Sequence, residues 1–80
     1  MYYIRITDFN SKETYYVGKR GYTFTELSTS CCKGKGYDFK KRAQAAQRRI
    51  IKNNEENGIY CKFYSIVFLK EEQDEKKESI

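Results

Sequence analysis

Residues 38–57, DFKKRAQAAQRRIIKNNEEN, decide the fold. The segment holds no Gly or Pro, Asp38 can cap its start, and Gly58 follows as a stop. Projected at about 100° per residue from Lys41, the side chains of Phe39, Ala43, Ala46 and Ile50 fall between about 140° and 200°. Lys41, Arg48 and Lys52 fall within about 20° of zero, with Arg42 and Arg49 near 80–100° on one flank. The spacing predicts one amphipathic helix. Its slim apolar side has two alanines that allow close approach to a sheet, and its opposite side is a cationic stripe.

Strands flank this helix. Residues 2–9, YYIRITDF, alternate, with Tyr2, Ile4 and Ile6 on one face and Tyr3, Arg5 and Thr7 on the other. Asn10, Ser11 and Lys12 make a polar turn into residues 13–18, ETYYVG, a second strand closing a hairpin. Gly18 and Gly21 bracket Lys19 and Arg20, a turn with a basic tip. Residues 22–27 alternate like a strand, and Thr23 and Glu26 also fit a capping box; residues 28–37 read as a loop. Residues 59–69, IYCKFYSIVFL, form a long strand that pairs beside the first. The expected fold is α+β: a small antiparallel sheet of about three strands with one helix on one face, in ββαβ order, over residues 1–70. If the row Ile59, Cys61, Phe63, Val67 and Leu69 faces the helix, then Tyr3, Tyr60 and Tyr64 point outward as aromatic contacts.

The 80 residues suffice for one small domain, and 13 Tyr and Phe supply core material despite that length. Residues 1–70 carry 14 basic and 6 acidic side chains, whereas residues 71–80 carry 2 basic and 5 acidic and read as a solvated acidic tail. No apolar run reaches the roughly 20 residues of a membrane span, and the opening residues lack the pattern of a signal peptide, so a cytoplasmic location is expected. The chain has no His, which removes the commonest general base and metal ligand, and the reading is of a non-enzymatic protein without cofactor or metal. Adjacent Cys31 and Cys32 with a distant Cys61 do not make a zinc set; Cys61 reads as a small buried hydrophobe.

The strongest constellation is basic. Between Lys33 and Lys52 eight cations stand against Asp38 alone. Phosphate backbones reward such clusters, because Lys and Arg displace condensed counterions and bond phosphate oxygens. The candidate contact residues are Lys33, Lys35, Lys41, Arg42, Arg48, Arg49 and Lys52. A solvated helix face is the plainer alternative, yet such faces mix signs at i,i+4, and Arg48 and Arg49 have no such partner. Tyrosines on an open sheet face can also stack unpaired bases.

The pattern YYIRITDF (2–9), TYYVG (14–18), YDFKKRAQAAQRRI (37–50) and CKFYSIVFL (61–69) resembles very small phage and mobile-element accessory proteins, some of them anti-CRISPR or other anti-defence inhibitors. The resemblance rests on core positions and carries over no binding residue. It implies a protein that occupies a host effector, in the cytoplasm of the host cell. The expected partner is nucleic acid or a nucleoprotein effector, with an acidic protein surface as a second possibility and no membrane. A direct DNA- or RNA-binding regulator and an oligomerising structural module are the alternatives.

Overall fold

The computed structural model describes residues 1–70. The acidic segment 71–80, read above as a solvated tail, lies outside the described residues. In chain order the elements are β1 (Tyr2–Asp8), β2 (Thr14–Val17), β3 (Thr23–Phe24), α1 (Thr29–Cys32), α2 (Lys40–Glu56) and β4 (Lys62–Phe68). The four strands form one antiparallel sheet in the order β3-β2-β1-β4, with α2 against β1 and β4. The α+β class, the hairpin, the main helix and the pairing of the last strand beside the first all stand as expected from the sequence.

Two elements go beyond that expectation. The ambiguous segment 22–27 supplies a fourth strand, because Tyr16 pairs with Phe24 and Val17 with Thr23. The segment read as a loop contains α1, whose start is capped by the Ser28 hydroxyl accepting from the Cys31 amide.

The core lies between α2 and the sheet. Ile4, Ile6 and Ala46 are buried together, with Tyr15, Val17, Tyr37, Ile50 and Tyr64 packed around them. Ala43 is also buried, so the two alanines seat the helix as their spacing requires. The N-cap is Phe39, not Asp38, and Phe39 is 61% exposed where the wheel placed it in the core. A capping residue has extended backbone, which swings its side chain off the helical face. The helix ends in a Schellman motif: Gly58 (φ 78°) donates to the Glu55 carbonyl and Ile59 to that of Asn54.

The facing of β4 is the reverse of the sequence expectation. Residues paired across an antiparallel ladder share a face. Ile4 pairs with Ile66 and Ile6 with Tyr64, so the Tyr64 row joins the helix side and Phe63 and Val67 turn away. Tyr64 is therefore not an outward contact; its hydroxyl accepts from the Asn54 side-chain amide at 2.5 Å. Tyr3 does lie on the face away from α2, but it is 0% exposed. The segment with α1 folds over it, its hydroxyl donates to the Cys32 carbonyl at 2.8 Å, and its ring meets Phe24 edge-on. Sequence alternation assigns a face and not its cover, which is why Tyr3 read as open.

Candidate nucleic-acid interface

Lys41, Arg48 and Lys52 are exposed on α2, as the projection requires. Among the described residues none of them meets a carboxylate within ion-pairing distance; the one ion pair there joins Lys62 to Asp8 at 3.0 Å. Among the described residues the row is therefore a cationic stripe without carboxylate partners, along the solvent side of the helix.

The charge order of α2 runs against its own dipole. Its N-terminus carries Lys40, Lys41 and Arg42 with no acid in the first turn, and its C-terminus carries Glu55 and Glu56 with no base in the last. The helix dipole places partial positive charge at the N-terminus, so each misplaced charge costs about 0.3–1 kcal/mol at low ionic strength. A sequence shaped for helix stability alone would reverse this order. The arrangement concentrates positive potential at one end of α2.

At that end the chain builds a concavity. Arg42 and Arg49, one helical flank apart from the stripe, face the turn Lys19–Gly21 across a cleft of about 550 Å³. Lys19, Arg20, Tyr37 and Asp38 complete its walls, and the small side chain of Ala45 between the two arginines leaves it open. The turn is held in place by backbone. Gly18 donates to the Tyr22 carbonyl at 2.8 Å and Lys19 to the Lys35 carbonyl at 2.9 Å, while Tyr37 exchanges both backbone hydrogen bonds with Tyr2. Arg20 sits in left-handed backbone (φ 60°, ψ 21°), where a residue with a Cβ costs about 1–2 kcal/mol. Burial pushes the Tyr37 phenol above its ordinary pKa, with Arg49 opposing, so the hydroxyl stays a proton donor at neutral pH.

The structure thus divides the expected contact residues. Arg42 and Arg49 join the cleft, and Lys41, Arg48 and Lys52 form the outer row. Lys33 is exposed just after α1. Lys35 is half-buried, with its ammonium 5.1 Å from the centroid of the Tyr22 ring, a cation–π contact. Tyr60 is 73% exposed, precedes β4, and donates to the Glu55 carbonyl at 3.1 Å, so it belongs to the acidic end of α2. Lys19 and Arg20 are absent from the sequence-based set. Their signal was the Gly-Lys-Arg-Gly turn, which places a basic tip but does not say what it faces.

The cysteines stand apart from the cleft. Cys31 and Cys32 hold their sulfurs 3.4 Å apart. The Ser28 hydroxyl lowers the pKa of the exposed Cys31 thiol, and burial raises that of Cys32. Cys61 is half-buried, 3.8 Å from the Asp8 carboxylate. Among the described residues no group of three or more His, Cys, Asp or Glu side chains is placed to hold a metal ion, and no helix is long and apolar enough to cross a membrane.

The chain matches no family model, no curated protein and no solved structure.

Proposed function

We propose that this protein acts by binding and not by catalysis, and that its ligand is the phosphate backbone of nucleic acid, free or held in a host nucleoprotein defence complex. The carrying observation is the exposed row of Lys41, Arg48 and Lys52, unopposed by carboxylates among the described residues, on a helix whose N-terminal charges oppose its own dipole. Cations kept at a cost in stability need a compensating ligand, and phosphates supply one through hydrogen bonds and counterion release. In the inhibitor role that the resemblance to phage accessory proteins implies, the row occupies guide or target phosphates and blocks the effector from using them.

The test is a gel-shift series with single- and double-stranded DNA and RNA across a range of salt. The expected result is retardation at low salt that weakens steeply, log affinity falling by about 0.7–0.9 per phosphate bound for each decade of salt. No retardation of any of the four at low salt would overturn the reading.

A further inference from the structure

The cleft between α2 and the Lys19–Gly21 turn has a shape and charge that the outer row lacks. Four cations, Lys19, Arg20, Arg42 and Arg49, stand on two facing elements around one carboxylate, that of Asp38. A volume of about 550 Å³ lies in the range of small-ligand sites, roughly 300–1,000 Å³. Such a cleft differs from a stripe in what it admits. An internal phosphodiester carries a single negative charge and must bring a nucleoside past on either side. A phosphate monoester at a strand end carries about −1.5 to −2 charges near neutral pH and enters by its own end. Guanidinium groups suit it, because each can bond two of its oxygens at once.

The remaining wall residues fit the rest of a nucleotide. Asp38 only accepts hydrogen bonds when ionised, so it repels phosphate and suits a sugar hydroxyl or a base amino group. With a carboxylate and arginines lining one cleft, a nucleotide can set its phosphate on the arginines and its nucleoside against the carboxylate. The strained backbone of Arg20 points the same way, since Gly or Asn would occupy that conformation at lower cost.

We propose that this cleft is a binding site for a terminal phosphate monoester of a nucleotide, the shared chemistry of a phosphorylated strand end and a free nucleotide. The inference deepens the nucleic-acid reading and rests on it for the class of ligand. The site recognises a chain end through Lys19, Arg20, Arg42 and Arg49, whereas Lys41, Arg48 and Lys52 follow the backbone.

The experiment compares one short single-stranded DNA, labelled at its 3′ end, with a 5′-phosphate or a 5′-hydroxyl, by fluorescence anisotropy at fixed low salt. ADP serves as competitor, and its own binding is read by isothermal titration calorimetry. The 80-residue protein should bind the phosphorylated strand about ten-fold more tightly, the effect of one further charge-assisted hydrogen bond. The double variant R42Q/R49Q should lose that preference, as should K19Q on the opposite wall, while K41Q/R48Q/K52Q should weaken both strands alike. Circular dichroism checks that each variant is folded. ADP that abolishes the preference supports the site and adds free nucleotides as ligands; a preference that ADP leaves intact supports strand ends alone. Equal affinity for the two strands with no ADP binding, or a preference that survives in R42Q/R49Q, would overturn the proposal. Binding of ADP with neither strand bound would support the cleft and remove the backbone-binding row. If strands and ADP all fail to bind, both readings fall.

Discussion

The carbonyl oxygen of Lys35 occupies the space that a Cβ on Gly18 would need, and the next amide, that of Lys19, donates to the same oxygen at 2.9 Å. This close approach ties the basic turn to the strand-like passage that leads into α2. It thereby sets the distance between Lys19 and Arg20 on one wall of the cleft and Arg42 and Arg49 on the other.

Gly18→Ala should therefore loosen the fold and the cleft together. Backbone is the obstacle, so the clash cannot be relieved by a rotamer change, and the expected loss is about 1–3 kcal/mol in urea denaturation. Gly21→Ala meets nothing within 4 Å and is strained only by its φ of 80°, a cost of about 1–2 kcal/mol. The two variants differ in the cleft: G18A should also weaken binding of the phosphorylated strand.

Lys41→Glu should raise stability while lowering affinity. It places an acid near the positive end of the helix dipole and relieves repulsion from Lys40 and Arg42, for a gain of about 0.3–1 kcal/mol. The same change takes away one cation of the proposed phosphate-binding row, so the slope of log affinity against log salt should become shallower by about one. Thermal melting and a salt titration check the two halves. A Lys41→Glu protein that melts lower than the parent would show that the dipole argument fails.

Ile50 and Phe39 lie on the same side of the helical wheel yet should respond to very different degrees. Ile50 is half-buried against the Ile4–Ile6–Ala46 core, so Ile50→Asp puts a charge with no partner at the core's edge and should cost about 2–4 kcal/mol. Phe39 is largely exposed and touches Arg42 by a cation–π contact at 5.9 Å, so Phe39→Ala should cost less than about 1 kcal/mol. Circular dichroism with urea titration separates the outcomes.

Acid should weaken the end of the sheet where β1 meets β4. The Ser11 amide and then the Lys62 ammonium hold the Asp8 carboxyl below its ordinary range. A carboxyl depressed in the folded state contributes stability above its unfolded pKa of about 3.9, and that contribution disappears as pH falls through the lower folded value. Asp8→Asn should flatten this acid limb and leave the neutral-pH midpoint lower. Urea midpoints from neutral pH down to about 2 measure it.

Alkylation should separate the adjacent thiols. Cys31 is exposed and its thiol is lowered by the Ser28 hydroxyl, while Cys32 is buried and raised by desolvation. Iodoacetamide under native conditions should therefore modify Cys31 first, and Ser28→Ala should slow it. Peptide mass spectrometry reads both; preferential labelling of Cys32 would contradict the arrangement.

Local pattern was enough for the helix, the hairpin and the cationic stripe. Ala43, Ala46 and Ile50 recur at the helical period, Ile4 and Ile6 at the strand period, and Lys41, Arg48 and Lys52 fall opposite the alanines by geometry alone. What pairing and covering decide was beyond such patterns. Each face of β4 carries apolar or aromatic residues and one polar residue, Lys62 on one and Ser65 on the other, so periodicity could not choose between them, and only the ladder that pairs Ile4 with Ile66 brought Tyr64 to the core. Tyr3 vanished under a segment whose small polar residues give no sign of where they fold. The cleft is tertiary in the same sense, since Lys19 and Arg49 are thirty positions apart and meet only because the Lys35 carbonyl accepts from the Lys19 amide beside the start of α2. Periodicity encodes which side of an element is apolar; which elements face each other is set by long-range hydrogen bonds and packing that no short window contains.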